Sequence, residues 1–278
     1  MLRIGLIQLD AQNDLQANLD AAEQAVRSAA AGGAQLVALP EQMHLRVGRG
    51  LGRRYLETAQ TIPGPITERF AQLASELNIH LLMGSIAERS DDPDRVYNTC
   101  VFIGPAGDLL ATYRKVHLFD ITVSNEINEQ ESKRFAPGSQ IVVADDPTNL
   151  PAMGLSICYD LRFGELYRAL AIAGAKLAFV PSNFTKTTGQ AHWLTLLRGR
   201  AIDNGMFIIA PNQCQAFEGG FEAYGHSAVI GPWGEVLLEM DDQPGVGLVD
   251  IDLDEVDRVR EKLPCLKHRR PEVYGQGL

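Results

Sequence analysis

Three side chains suited to acyl chemistry stand far apart in the chain, each directly after a strand-like run: Glu41, Lys115 and Cys158. Cys158 closes the apolar run Met153-Gly154-Leu155-Ser156-Ile157 and opens the polar turn Tyr159-Asp160-Leu161-Arg162-Phe163-Gly164-Glu165, ahead of an apolar helical face that begins at Leu166. A thiol at that point faces a helix N-terminus and nearby cations, which favour thiolate, the nucleophilic form. Leu39-Pro40 delivers Glu41 and the run ending at Arg114 delivers Lys115. In α/β sheets ligands collect outside the carboxyl ends of strands, so these three groups can share one cleft. Amide hydrolysis uses all three. Cys158 attacks, Glu41 takes its proton and returns it to the leaving ammonia, Lys115 and the Tyr159 backbone N–H hold the oxyanion, and water activated by Glu41 cleaves the thioester. Each residue alone has a plainer reading, as a buried thiol, a loop carboxylate or helix cap, and a surface lysine.

The elements that must position them follow from periodicity. Strands are expected at Ile4–Leu9, Leu36–Leu39, His80–Gly84, Asn98–Ile103, Leu109–Arg114, Met153–Ile157, Leu177–Val180, Met206–Ala210, Ala228–Gly231, Val236–Glu239 and Val246–Ile251. Helices are expected at Leu15–Ala31, Thr67–Leu77, Glu165–Ala173, Trp193–Asn204 and Glu255–Lys262. Strands alternating with helices in both halves predict a layered α/β fold. No shift in composition marks a linker, so residues 1–278 read as a single domain; the polar stretch Phe119–Gln140, with Pro137-Gly138, reads as a functional loop.

Composition excludes several other classes. A net charge of −10 over 278 residues argues against nucleic acid, because a polyanion must be met by clustered Lys and Arg; Lys267-His268-Arg269-Arg270 is too short a basic run to change this. The N-terminus lacks an apolar leader and no run is long enough to span a membrane, which places the expectation in the cytoplasm. The cysteines Cys100, Cys158, Cys214 and Cys265 form no Cys-x-x-Cys pair and read as free thiols. His117, His192 and His226 lack metal-site spacing, so no metal or cofactor is expected and hydrogen bonding near the cleft or between sheets is their reading. A Cys158 paired with His192 or His226 is the rival catalytic arrangement, and a non-catalytic binding protein is the rival function. Ser156 misses the nucleophile-elbow pattern because Cys158 replaces its final glycine, so its hydroxyl belongs to the core. Gly48, Gly50 and Gly52 lack the strand and helix of a dinucleotide site and read as a loop.

The ordered segments Leu39-Pro40-Glu41, Arg114 to Asp120, Gly154 to Phe163, Thr187-Thr188-Gly189, His192-Trp193, Arg198 to Asn204, Tyr224 to Ser227 and Pro232-Trp233-Gly234 resemble the nitrilase, or carbon-nitrogen hydrolase, superfamily. The resemblance implies a four-layer αββα sandwich that dimerises, a Glu41-Lys115-Cys158 triad, and no cofactor. It also implies a second glutamate near the triad, for which Glu131 in Gln130-Glu131-Ser132 is the candidate. The tail Leu263-Pro264, His268-Arg269-Arg270-Pro271 and Tyr274-Gly275 is similar to that of deaminated glutathione amidases, and Phe119-Asp120-Ile121 with Phe184 to Gly189 is shared with the omega-amidases. Pro181-Ser182-Asn183-Phe184 departs from the Ala-Phe of both groups, which leaves the exact substrate open; Asn183 and Phe184 are candidate oxyanion or substrate contacts. Both groups act on small amides that carry carboxylates; the tail makes deaminated glutathione the expected substrate, with 2-oxoglutaramate or 2-oxosuccinamate, or an N-carbamoyl amide, as alternatives. An Arg fork matches a carboxylate, and Arg162 is placed for it; its plainer role is to pair with Asp160 or Glu165.

Overall fold

The computed structural model describes residues 1–48, 50–122, 128–145 and 150–275. Two sheets face each other. The first has the order Gly245–Ile251, Leu2–Gln8, Leu36–Ala38, His80–Arg89, Val96–Ile103, Leu109–Arg114, with Phe135–Ala136 beside Val96–Ile103. The second has the order Val236–Glu239, Ala228–Ile230, Phe207–Ala210, Leu177–Phe179, Met153–Leu155, Val143–Ala144. At the centre of each sheet lie parallel strands, Leu2–Gln8 with Leu36–Ala38 and His80–Arg89, and Met153–Leu155 with Leu177–Phe179 and Phe207–Ala210. Their residues are buried without alternation, as parallel strands covered on both faces require.

Side chains from the two sheets meet in one core that includes Ile4, Leu6, Leu82 and Phe102 from the first and Leu155, Phe179, Ile209 and Val229 from the second. The outer face of the first sheet is covered by the helices Leu15–Ala31 and Pro65–Leu77, whose Leu19, Val26, Phe70 and Leu73 pack on Ile7, Val37 and Leu81. The helices Gly164–Ile172 and Lys186–Asn204 cover the second. The result is the αββα sandwich.

Most expected elements fall within a residue or two of their predicted ends; four departures have physical causes. Helix Lys186–Asn204 starts seven residues before the expected Trp193, because Thr185 caps it with a side chain that accepts from Thr188 N–H. Two threonines and a glycine inside that turn obscure the helical pattern. The expected strand His80–Gly84 continues to Arg89 through a register shift at Gly84. Gly84 has φ +72° and lies so close to Pro40 that a Cβ would stand 2.1 Å from the Pro40 carbonyl oxygen. Part of the expected loop Phe119–Gln140, residues 123–127, lies outside the described residues; the rest holds a short hairpin of Asp120–Thr122 with Asn128–Gln130, a turn of 3-10 helix Glu131–Lys133 and the strand Phe135–Ala136. Finally, a short helix Arg53–Thr58 does follow Gly52, although the preceding strand of a dinucleotide site is missing.

Candidate active site

Glu41, Lys115, Glu131 and Cys158, spread over more than a hundred residues of chain, line one cleft, and all four side chains are buried. The wall of the cleft includes Tyr55, Phe119, Glu129, Arg134, Tyr159, Asn183, Phe184, Thr188 and Phe217.

Glu41 is set by the close passage of Gly84 under Pro40. Lys115 is set from both sides: its N–H donates to the Asn98 carbonyl at 2.9 Å, and its own carbonyl accepts from Gly138 N–H at 2.7 Å. Gly138 can do this because its Cα approaches Arg114, where a Cβ would lie 2.2 Å from the carbonyl oxygen. That contact is the structural use of Pro137-Gly138.

The lysine ammonium has three donors and uses them all, on Glu41 Oε1 at 2.9 Å and on Glu131 Oε1 and Oε2 at 3.0 and 2.9 Å. Glu131 Oε2 also accepts from Phe119 N–H at 2.6 Å, and Glu41 Oε2 accepts from Asn183 N–H at 2.8 Å. The cluster thus holds two carboxylates to one cation inside the protein. Burial alone would pull the Lys115 ammonium down, but the charges of Glu131 and Glu41 outweigh it and hold its value well above the usual lysine range. Glu131 is pushed up, by burial first and by the charge of Glu41, against the pull of Lys115.

Cys158 departs from expectation. Its thiol is pushed well above the usual value, because burial and the charge of Glu41 outweigh Lys115 and the Asn183 N–H. The helix Gly164–Ile172 begins six residues later, too far for its terminus to ionise the thiol. Cys158 instead opens the 3-10 turn Cys158–Arg162 with φ +48°, the left-handed conformation that a nucleophile elbow needs, adopted without glycine. Such a conformation costs roughly 1–3 kcal/mol and is found where surrounding structure enforces it. Here the Cys158 N–H is tied to the Pro181 carbonyl at 3.0 Å, and Asp160 accepts from Ile157 N–H, His117 N–H and the Tyr113 hydroxyl. Ser156 is the expected core hydroxyl, bonded to Tyr167 and the Phe179 carbonyl.

Arg162 pairs with neither Asp160 nor Glu165 by any hydrogen bond or ion pair among the described residues. Its guanidinium lies 5.4 Å from the ring centre of Phe184 and 5.8 Å from that of Tyr159, behind two rings that line the cleft, and 3.3 Å from His192 Nδ1. His117 bonds Asp160 at 2.7 Å and His226 bonds Glu239 at 3.1 Å; neither these nor His192 line the cleft.

Two lining or bridging residues escaped the sequence. Asn98 Nδ2 donates to Glu41 Oε1 at 2.8 Å and reaches Glu131 Oε1 at 3.4 Å. Arg134 stands on the wall with Nη2 3.1 Å from Glu129 and a buried Nε that has no partner among the described residues. An asparagine inside a strand and a third residue of Ser-Lys-Arg carry no local signal of either role.

The model for carbon-nitrogen hydrolases matches residues 3–261. Human omega-amidase NIT2 is 39% identical over 273 residues, 98% of this chain and 96% of its own. Among solved structures, Saccharomyces cerevisiae Nit3, a member of branch 10 of the nitrilase superfamily, superposes with a TM-score of 0.86 at 30% identity, covering 97% of this chain and 96% of its own. The amidase of Nesterenkonia sp. AN1, solved as a mutant with acrylamide added at its active-site cysteine, superposes with a TM-score of 0.80 at 29% identity, covering 99% and 98%. With the sandwich, the cleft and these matches together, the chain belongs to the nitrilase superfamily of carbon-nitrogen hydrolases and is an amidase.

Proposed function

We propose that the chain hydrolyses the terminal amide of a small carboxylate-bearing substrate through a Cys158 thioester, with 2-oxoglutaramate, an omega-amidase substrate, as the first choice. The buried union of Glu41, Lys115 and Glu131 beside Cys158 carries this reading. Because the resting thiol holds its proton, attack needs a base in contact, and Glu41 is that group. As the Cys158 sulfur bonds to the amide carbon, the thiol proton passes to Glu41. The oxyanion is held by the Tyr159 N–H and by Lys115, which trades one of its two Glu131 contacts for it. Glu41 then protonates the amide nitrogen, the carbon–nitrogen bond breaks and ammonia leaves. Water, giving its proton to Glu41, cleaves the thioester to the acid and restores the thiol. Glu131 keeps Lys115 in place throughout.

A substrate carboxylate needs a cation that the cluster has not already used. Arg134 meets that need from the wall, Asn183 and Phe184 line the same cleft, and Arg162 stands against the rings of Phe184 and Tyr159. The tail that resembles deaminated glutathione amidases lies elsewhere: Leu263, Pro264, Arg269 and Tyr274 line outer recesses and none touches the cleft. Those residues therefore say little about substrate, and the relatedness to NIT2 favours the omega-amidase reading. A homodimer and a cytoplasmic setting belong to the same proposal.

The test is ammonia release from 2-oxoglutaramate, deaminated glutathione, an N-carbamoyl amino acid and the uncharged butyramide. The reading expects the first to be turned over with the highest kcat/KM. In Arg134→Gln, KM for 2-oxoglutaramate should rise about tenfold, the worth of one charge-assisted pair, with butyramide little changed. Equal, feeble rates on all four would overturn it.

A further inference from the structure

The geometry points to Asn98 as the positioning residue that leaves one chosen lone pair of Glu41 free for the Cys158 proton. This rests on the reading of Glu41 as base and says how that base is aimed. Each carboxylate oxygen accepts two hydrogen bonds. Glu41 Oε1 receives Lys115 at 2.9 Å and Asn98 at 2.8 Å, so it is full. Among the described residues Glu41 Oε2 receives only the Asn183 N–H, at 2.8 Å, and the buried Cys158 thiol lines the same cleft as this carboxylate. The open acceptor position is therefore on Oε2.

The orientation of Asn98 is dictated by its surroundings. Its two polar neighbours, Glu41 and Glu131, are both acceptors, so the amide nitrogen must face them. Its Oδ1 is left buried with no donor among the described residues. An unsatisfied buried acceptor works against stability, and it persists most readily where the other end of the side chain is needed. The whole residue is sealed, in the middle of the strand Val96–Ile103, whose Asn98 carbonyl also receives the Lys115 N–H at 2.9 Å. One residue thus fixes the main chain of the lysine and the side chains of both carboxylates.

The groups facing the carboxylate pair are Lys115, Cys158, the N–H groups of Asn183 and Phe119, and the Tyr55 hydroxyl, with Glu129 and Arg134 across the cleft. Apart from Asn98, the neutral side chains among these are the Cys158 thiol and the Tyr55 hydroxyl. Removing the Asn98 donor frees a second acceptor position, on Oε1, and favours the protonated form of the pair.

The experiment compares Asn98→Ala, Asn98→Ser, Asn98→Asp and Glu41→Gln, reading kcat and KM for ammonia release and the rate of Cys158 alkylation by iodoacetamide across pH. Alkylation is counted by mass on the folded fraction, so partial unfolding does not enter. Asn98→Ala should lose about 10- to 100-fold in kcat with KM within about twofold, as expected for one hydrogen bond to a charged group, and its acid limb should move to higher pH in both assays. Asn98→Ser, which keeps a donor, should recover part of both. Asn98→Asp has the same shape but an acceptor in place of the donor, and should be the slowest of the three. Superimposable pH profiles in Asn98→Ala and the parent chain, or an Asn98→Asp as fast as the parent, would overturn the inference. If Glu41→Gln itself kept the parent's acid limb, the failure would lie with Glu41 as base.

Discussion

Arg46 and Lys115 are both buried cations, and they are treated in opposite ways. Arg46 is fully enclosed and generously matched: it binds Asp10 at 2.6 Å, the carbonyls of Ala11 and Cys214 at 2.6 and 3.0 Å, and stands 4.7 Å from the centre of the Phe217 ring. Burial pushes it down to about 10, and one carboxylate stands against it. Lys115 has two carboxylates, sits well above its usual value, and is flanked by an asparagine with an orphaned oxygen and a cysteine in a left-handed conformation. A satisfied buried charge holds a fold together, whereas an imbalanced one stores the capacity to move a proton. Arg46 still serves the site, because its Nη1 lies 3.4 Å from the side-chain Oδ1 of Asn183, the residue whose backbone N–H donates to Glu41.

The largest expected effect breaks the catalytic side of this contrast. Lys115→Ala should abolish turnover, by about a thousandfold or more, since it removes oxyanion stabilisation and leaves two carboxylates facing each other; residual activity within about tenfold would favour a Cys–His pair instead. Arg46→Met attacks the structural side. It should lower unfolding free energy by about 3–5 kcal/mol, because Asp10 and two carbonyls lose their partner, while kcat per folded molecule, measured by active-site titration, falls far less than in Lys115→Ala. A comparable fall in kcat would erase the distinction.

The pH dependence of stability sharpens the comparison further. A lysine whose folded value exceeds its unfolded value stabilises the fold fully below the unfolded value, 10.5, and loses that contribution as pH rises through the folded one. Lys115→Met should therefore flatten the decline in Tm above about pH 10, and an unchanged alkaline slope would count against the paired lysine. The smallest effect is expected at the histidines: His192→Gln and His226→Gln should alter kcat by less than about threefold, since both hydrogen-bond outside the cleft. A loss as large as that of Lys115→Ala would restore the rival base.

Strand periodicity made the sandwich's elements legible, and the position of Glu41, Lys115 and Cys158 after strand-like runs made the triad legible, because both are properties of short segments. Asn98 and Arg134 were not, since their partners come from segments 33 and 57 residues away in one case and from a hairpin in the other. The ionisation of Cys158 differs from the sequence expectation for the same reason: local sequence shows a helix to follow, while what holds the thiol up is burial first and then the charge of Glu41, which arrives from a distant segment. What the amino-acid order determined by itself was which groups stand at the ends of which strands, a matter of backbone periodicity and side-chain type. Only the packing of the two sheets decided how many carboxylates share one ammonium, which oxygen is left open and where water is excluded, because electrostatics in a buried cleft depend on distance and desolvation, and neither is written along the chain.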